Sequence, residues 1–278
     1  MTKSSQYASE NNRFQVFFQE EKYVLLKNYL YNYILRKMAV EKNFQHERPE
    51  LVLEVGSGIS PVMTRTDRII YTDLSLKALQ ILKRTHARGS CVVADGMRLP
   101  FKSGVFSHTV CSEVLEHLED DSEALKELSR VMKLAGHLII TFPHRKIYFA
   151  NDDRFVNHFR RYELLEMEDR LKEAGFRPVY VQKVLGPLEK VTMCFVVFCF
   201  SMIQKLRSKE VKAPKKFKLM NVIVPFFKWA NRFYIGPVWL DAKIMPRALS
   251  TVLLVSCALA EGREPVERQL DSLRSRQD

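Results

Sequence analysis

Acidic side chains stand at the ends of several short apolar runs in the first half of the chain. Glu54 lies in "ELVLEV" just before Gly56 and Gly58, Asp73 closes "RIIYTD", and Asp95 closes "CVVAD". Carboxylates in such places suit hydroxyl, amine or ammonium groups and do not suit phosphates. Glycines directly after an apolar strand indicate that something approaches the backbone closely there. The chemistry expected of these residues is therefore ligand binding.

The elements that must position these acids alternate between strands and helices from residue 50 onward. Strands are predicted at 50–55, 68–73, 91–95, 107–113, 136–143, 176–184 and 248–259, and helices at 14–40, 75–87, 121–133 and 162–175. This alternation predicts an α/β fold with a parallel, doubly wound, Rossmann-like seven-stranded sheet and an N-terminal helix. Ligands bind such sheets at the carboxyl ends of the strands, where the acids would meet.

The glycine turn argues against a dinucleotide ligand. A pyrophosphate site needs G-x-G-x-x-G, whereas Gly56-Ser57-Gly58 is followed by "ISPVMT" without a third glycine. The sequence also lacks G-x-x-x-x-G-K-[ST]. The ligand is therefore predicted to be a nucleoside without phosphates, and Glu54 fits one with a positively charged end. A nicotinamide oxidoreductase is the least favoured class.

The motifs taken as a set resemble the class I S-adenosylmethionine-dependent methyltransferases, in particular the type 11-like group. The matching runs cover about residues 50–185 and read "VLEVGSGIS", "YTDLS", "VVADGMRLPF", "VCSEVLEHLED" and "MKLAGHLIITFP". Two positions depart from the family pattern. Ser60 stands where a third glycine is frequent, and Ser107 stands where an aspartate often begins the fourth strand.

The resemblance implies S-adenosylmethionine as the cofactor and assigns its contacts. Glu54, with the turn Gly56, Ser57 and Gly58, would hold the methionine end, beside Ser112. Asp73 would take the ribose hydroxyls. The adenine would lie against Leu74, with its amine on Asp95 in a pocket shaped by Gly96 and Met97. The other reading of these acids is that they cap helices and turns.

The methyl acceptor is expected near the loop after the fifth strand, residues 143–167. It contains "NHFRRY", which resembles a segment of methyltransferases from cell-surface glycan and lipid pathways, with Asn157 in place of a glycine. Histidine titrates near neutral pH, so three histidines are candidate general bases, and three further residues are candidates for binding the acceptor. The candidates are His117, His144 and His158 as bases, and Arg160, Arg161 and Tyr162 as acceptor ligands. The alternative for the arginines is an ion pair with Asp152, Asp153 or Glu163.

Composition bounds the remaining possibilities. The chain has 278 residues, 46% hydrophobic residues, a net charge of +12 and five cysteines without a C-x-x-C spacing. Reduced thiols in a reducing compartment, no disulfide framework and no metal site are therefore predicted. The charge favours a polyanion or an anionic membrane surface as partner. The N-terminus does not resemble a signal peptide, so a cytoplasmic location is expected.

An unusual stretch of about sixty residues precedes the last strand. It contains the apolar run 191–203, a basic run at 204–218 and the aromatic-rich run 219–240. Thirteen apolar residues are too few for a bilayer span, and extension to 188–206 takes in Glu189 and Lys190. An interfacial helix that attaches peripherally to the inner face of a membrane is expected. The alternative is a helical subdomain buried on the core or in a dimer.

The predicted organisation has four parts. They are an N-terminal helical segment (1–49), the cofactor-binding domain (50–186 with 247–260), the apolar and basic helical insertion (187–246) and a flexible tail (261–278). The favoured function is methyl transfer, oxygen-directed, to a lipid, quinone-like or lipid-linked sugar acceptor. The alternatives are a cofactor-binding but inactive adaptor, and an RNA methyltransferase. No nucleic-acid partner is favoured, since no RNA-binding module is recognisable.

Overall fold

The computed structural model describes residues 26–44, 49–86, 88–207 and 216–260. Seven strands form one sheet: β1 (Val52–Val55), β2 (Ile69–Asp73), β3 (Ser90–Val93), β4 (Phe106–Ser112), β5 (Met132–Pro143), β6 (Phe176–Leu185) and β7 (Val252–Leu259). Their order is β3-β2-β1-β4-β5-β7-β6, and β7 runs antiparallel to its neighbours β5 and β6. The predicted Rossmann-like seven-stranded sheet is confirmed, but the sheet is mixed and not wholly parallel, because β7 runs in the opposite direction to its neighbours.

Seven helices of the described residues flank or follow these strands. They are α1 (Tyr31–Asn43), α2 (Leu76–Thr85), α3 (Asp121–Val131), α4 (Asn151–Phe155), α5 (Leu164–Glu173), α6 (Pro187–Arg207) and α7 (Lys216–Ile244). The prediction of one N-terminal helix over 14–40 falls partly outside the described residues. Within them, Leu30 is extended and α1 runs on to Asn43.

The sheet is covered on both faces because its strands are apolar on both sides. Successive strand residues point to opposite faces, and in β5 the side chains of Leu138 and Ile140 belong to one core, while Ile139 belongs to the other. Leu125 of α3 packs in the first core and Leu79 of α2 in the second. Because β1 to β5 run parallel, their carboxyl ends meet at one edge of the sheet, between the two helical layers.

The predicted insertion contains α6 and α7, which lie between β6 and β7 in the chain. The apolar run 191–203 falls within α6, and the run 219–240 falls within α7 despite Pro225 and Pro237. Among the residues that the structure describes, no helix combines the length and the apolar character that a bilayer crossing requires. The last strand begins at Val252 and not at 248, because a 3-10 turn precedes it.

The buried carboxylate of Asp121 ties the start of α3 to the segment that leads into α5. One oxygen accepts hydrogen bonds from Tyr162 Oη at 2.7 Å and from Arg160 Nη1 at 3.1 Å. The other accepts a hydrogen bond from Arg170 Nη1 at 2.6 Å. A buried charge is stable only when it is paired in this way, so Asp121 orders the chain between β5 and α5.

Removing the Tyr162 hydroxyl should therefore destabilise the fold. We expect Tyr162→Phe to lower the free energy of unfolding by about 1.5–3 kcal/mol, since a buried hydrogen bond to a charged group is lost. Tyr148→Phe is the matched control, because the Tyr148 hydroxyl lies 3.4 Å from the Leu249 carbonyl in an exposed contact. It should cost less than about 0.5 kcal/mol in urea unfolding. Equal losses for the two variants would contradict the role given to Asp121.

Candidate active site

The glycine turn after β1 is built on left-handed backbone. Gly56 has φ +69° and Gly58 has φ +57°. A Cβ atom on Gly56 would lie 2.4 Å from the Cγ2 atom of Val114, which follows β4. The glycines were expected to let a ligand approach the backbone closely. At Gly56 it is the Val114 side chain that makes this close approach. It brings the segment after β4 directly against the turn.

Glu54 holds the loop that follows this turn. Its side chain is buried, and its two carboxylate oxygens accept hydrogen bonds from the amides of Val62 (2.8 Å) and Met63 (3.0 Å). Burial raises the pKa of Glu54 to about 7. Glu54, which was predicted to bind the ligand, therefore uses part of its hydrogen-bonding capacity on the loop amides of Val62 and Met63.

Asp73 joins the glycine turn to the start of α2. One of its oxygens accepts a hydrogen bond from the Gly58 amide, and the other accepts one from the Ser75 amide, both at 2.8 Å. Burial raises the pKa of the Asp73 carboxyl. A carboxylate can accept about four hydrogen bonds, so roughly two positions on Asp73 remain for a ligand.

The remaining predicted cofactor residues lie along the same edge of the sheet. Asp95 accepts a hydrogen bond from the Met97 amide at 2.9 Å, and Gly96 lies against Val55 of β1. Ser112, at the end of β4, shares a 2.8 Å hydrogen bond with Thr141 of β5. The remaining two predicted residues are Ser57, which is buried, and Leu74, which is half-buried.

Two basic residues near the N-terminus reach the same region, which sequence reasoning missed. Desolvation and the charge of Arg36 lower the pKa of Lys27 to about 8, while the carboxylates of Asp73 and Glu54 act in the opposite direction. Arg36 of α1 lies 3.4 Å from Glu113. In the sequence, both residues lie in the aromatic-rich segment 14–40, which predicts a helix but does not single out Lys27 or Arg36 as site residues.

Two of the three predicted histidines lie together just beyond β4. The rings of His117 and His158 meet edge to face with centroids 4.7 Å apart. The Nε2 atom of His158 lies 3.7 Å from Oε1 of the buried Glu116, and its Nδ1 atom lies 3.0 Å from Oδ1 of Asp153. Glu116 was not predicted as a site residue, although it stands next to His117 in "VLEHL".

The electrostatics of this group follow from burial. Burial, with the charge of His158 next, lowers the pKa of His117 to about 3. Burial and the nearby carboxylate of Glu113 raise the pKa of Glu116 well above its usual range. Burial also opposes ionisation of Asp153, but hydrogen bonds from His158 and from Lys190 of α6 hold its pKa below the usual range.

His144 lies apart from the other two histidines. Its side chain is buried, with Nδ1 3.0 Å from the Ser250 carbonyl oxygen and Nε2 4.0 Å from Glu163. Burial lowers the pKa of His144. A group enclosed in this way between β5 and the start of β7 is poorly placed to take a proton from an acceptor.

The three predicted acceptor ligands have partners inside the protein. Arg161 is buried, with Nε 2.7 Å from Asp153, and Arg160 and Tyr162 both contact Asp121. These contacts match the ion pair named as the alternative for Arg161, and they use the groups with which an anionic acceptor would be bound. Sequence reasoning could not distinguish the two roles because both require the same residue types.

The insertion is joined to this region by a buried ion pair. Nζ of Lys190 lies 2.7 Å from both oxygens of Asp152 and 2.8 Å from Asp153. The sequence alone indicates only that Lys190 interrupts an apolar run. In the structure, Lys190 connects α6 to α4 and, through Asp153, to His158.

Comparisons with known proteins identify relatives of this chain. Residues 53–140 match the family described as a methyltransferase domain. A demethylmenaquinone methyltransferase of Streptomyces avermitilis is 33% identical over 180 residues, which cover 54% of this chain and 78% of the relative.

Solved structures share the fold. One is an S-adenosylmethionine-dependent methyltransferase of Thermotoga maritima, with a TM-score of 0.56 and 16% identity over 88% of this chain and 98% of that one. Another is phosphoethanolamine N-methyltransferase 2 of Haemonchus contortus in complex with S-adenosylmethionine. Its TM-score is 0.55, and the match has 16% identity over 89% of this chain and 60% of that one.

The packing of Val114 on the glycine turn can be tested with two alanine substitutions. Gly104 is a matched control, because its φ is also +69° but a Cβ atom there would meet nothing within 4 Å. Gly104→Ala should cost about 1–2 kcal/mol through backbone strain alone. Gly56→Ala should cost at least about 1 kcal/mol more, since Val114 must move. Chemical unfolding measures both, and a double variant with Val114→Ala should recover part of the difference. Equal costs would contradict the contact.

Proposed function

The chain belongs to the class I S-adenosylmethionine-dependent methyltransferases, and from that premise we propose that it methylates a hydroxyl oxygen of an apolar, quinone-like acceptor. The observation that carries the proposal is the grouping of His117 and His158 beyond β4, beside the segment that packs on the glycine turn. The relative from Streptomyces avermitilis, named a demethylmenaquinone methyltransferase, supports the class of acceptor.

S-adenosylmethionine is the cofactor, and it supplies a methyl group activated on a sulfonium sulfur. The residues at the carboxyl edge of the sheet fit it. In the proposal, the free hydrogen-bonding positions of Asp73 take the ribose hydroxyls, and Asp95 takes the adenine amine, with Leu74, Gly96 and Met97 around the ring. The turn Gly56–Gly58, with Ser57 and Ser112, receives the methionine end. Glu54 orders this region through the loop amides and adds a nearby acidic group.

In the reaction, the protein binds and orients the acceptor and allows its hydroxyl proton to leave. A lone pair of the acceptor oxygen forms the bond to the methyl carbon, the carbon–sulfur pair stays on sulfur, and the hydroxyl proton leaves to a base or to water. His117 lies just after β4 and His158 packs against it, whereas His144 is enclosed elsewhere. Transfer from a sulfonium disperses charge, which a site shielded from water favours.

Cofactor binding and methyl transfer can be separated in two measurements. We expect calorimetric titration to show micromolar binding of S-adenosylmethionine, weakened at least tenfold in Asp73→Ala because contacts to the ribose are lost. Asp67→Ala is the control, since its side chain is 73% exposed, and it should leave binding unchanged.

Transfer would then be followed with methyl-labelled cofactor and a panel of hydroxylated quinones, simple phenols and lipid-linked sugars. Label on a quinone-like hydroxyl, located by mass spectrometry, is the expected result. Label on carbon or nitrogen would contradict the oxygen-directed reaction. Cofactor binding without transfer to any acceptor would favour the adaptor alternative, and label on RNA would favour the RNA alternative.

We also propose that α6 and α7 attach the protein peripherally to an anionic membrane surface. Exposed apolar side chains recur at helical spacing on both helices. They are Val191, Phe195 and Phe198 on α6, and Phe226, Trp229 and Phe233 on α7. Lys228 and Arg232 lie among those of α7, and Lys243 lies near its end, within a chain of net charge +12. An exposed apolar face with flanking basic residues has the chemistry of a membrane-surface helix.

Vesicle flotation tests this attachment. Wild-type protein should float with vesicles of three parts phosphatidylcholine to one part phosphatidylglycerol, less with phosphatidylcholine alone, and less as salt increases. The triple variant Phe195→Ser, Phe226→Ser and Trp229→Ser should bind at least about tenfold more weakly, because buried apolar area is lost. Ile147→Ser with Leu165→Ser is the control, since both side chains are exposed elsewhere. Absence of flotation, or a dimer abolished by the triple variant, would overturn the proposal.

A further inference from the structure

Glu116 is a buried carboxyl group without the partners that such a group requires. Its side chain is 0% exposed, and neither carboxylate oxygen has a hydrogen-bond partner among the described residues. The nearest imidazole nitrogen, Nε2 of His158, is 3.7 Å from Oε1, which is beyond hydrogen-bond distance. Leaving such a group unpaired costs several kcal/mol. A positively charged occupant beside Glu116 would remove this cost.

The residues around Glu116 are metal-ligand types. One potential ligand atom from each of Glu116, His117 and His158 lies within 4.8 Å of the other two. Backbone hydrogen bonds hold the two segments together, because the Phe159 amide donates to the Glu116 carbonyl at 2.8 Å. The three side chains therefore come from two chain segments that are fixed against each other.

His158 is already oriented as a ligand. Its Nδ1 atom lies 3.0 Å from Oδ1 of Asp153, which accepts a hydrogen bond and leaves the lone pair on Nε2, the nitrogen that faces Glu116. Asp153 is itself held by Arg161 at 2.7 Å and by Lys190 at 2.8 Å. A carboxylate that fixes the tautomer of a histidine is the usual outer partner of a metal-bound imidazole.

We propose that Glu116, His117 and His158 bind one divalent first-row transition-metal ion of the Mn²⁺-to-Zn²⁺ series. One carboxylate and two imidazoles suit these ions, whereas Mg²⁺ and Ca²⁺ prefer oxygen ligands throughout. Ligand atoms at about 2.0–2.2 Å from one ion lie roughly 3–4 Å apart. The three side chains have to close by about 1 Å on binding.

The role of the ion, unlike its binding, rests on the proposed function. Val114 packs on the glycine turn, so the three ligands stand next to the edge where the cofactor binds. An ion there would hold the acceptor oxygen and favour loss of its proton to water, after which the oxygen lone pair forms the bond to the methyl carbon. In this role His117 and His158 act as ligands and not as bases.

Binding can be measured without any methyl acceptor. The whole chain, stripped with EDTA and freed of it, is titrated calorimetrically with Zn²⁺ and with Mn²⁺, and with Mg²⁺ as the discriminating ion. We expect one Zn²⁺ or Mn²⁺ per chain, no competition from equimolar Mg²⁺, and a higher melting temperature with the ion. Glu116→Gln and His158→Ala should each weaken binding at least about a hundredfold while far-UV circular dichroism shows a folded protein.

Two controls address other metal-binding side chains. His86→Ala removes a histidine of a different part of the chain, and Cys194→Ser removes a thiol 3.8 Å from Asp152. Both should leave binding unchanged. Loss of binding in either control, unchanged binding in Glu116→Gln, or no binding by the wild-type chain would overturn the metal site. If the ion binds but methylation is unaffected by its removal, the site stands and its role in the reaction fails. Because cofactor titration is a separate measurement, neither failure can be mistaken for failure of the proposed function.

Discussion

The carboxylate of Asp153 orders the loop after β5 and joins that loop to the insertion. It accepts hydrogen bonds from Arg161 of the segment before α5, from Lys190 of α6 and from the Ala150 amide, and it fixes Nδ1 of His158. The loop after β5 and the insertion therefore both depend on this buried charge, and His158, which it orients, faces Glu116 of the segment after β4. Each of its oxygens makes two of these four contacts.

The energetics of such a cluster make it sensitive to the loss of any one member. Asp152 and Asp153 carry two negative charges, which Lys190 and Arg161 balance in a buried environment. A complete buried ion pair contributes little net stability, but an incomplete one is strongly destabilising, by about 3–5 kcal/mol. The cluster therefore fixes how its segments are joined more than it adds to overall stability. This is why α4, a helix of only five residues, can be held in place.

Much of the fold could be predicted from the sequence, because alternation of strands and helices is a local pattern. The acids at the strand ends were located for the same reason, and Asp73 and Asp95 lie along one edge. The antiparallel direction of β7 was not predicted, since β7 follows a long insertion and its own residues carry no sign of direction. Ser107, a departure from the family pattern, bonds to the Glu50 and Leu51 amides and so still ties the start of β4 to the chain before β1.

The partners of side chains distant in sequence could not be predicted. Arg161 and Tyr162 have the residue types of an acceptor site, yet their partners are Asp153 and Asp121 inside the protein. Lys190 interrupts an apolar run, and only the folded chain supplies Asp152 and Asp153 to neutralise it.

The contact between Lys190 and Asp153 connects the proposed membrane surface to the proposed metal site. Lys190 fixes the first turn of α6, and the exposed apolar side chains at 191, 195 and 198 follow on the next two turns. The other end of the connection is His158, which faces Glu116 beside the cofactor edge. The apolar surface proposed to contact a membrane is thus linked through Lys190 and Asp153 to the side chains proposed to bind the acceptor. Lys190 and the His158 imidazole both contact the carboxylate of Asp153, at 2.8 Å and 3.0 Å, so the first turn of α6 and the imidazole share one buried partner.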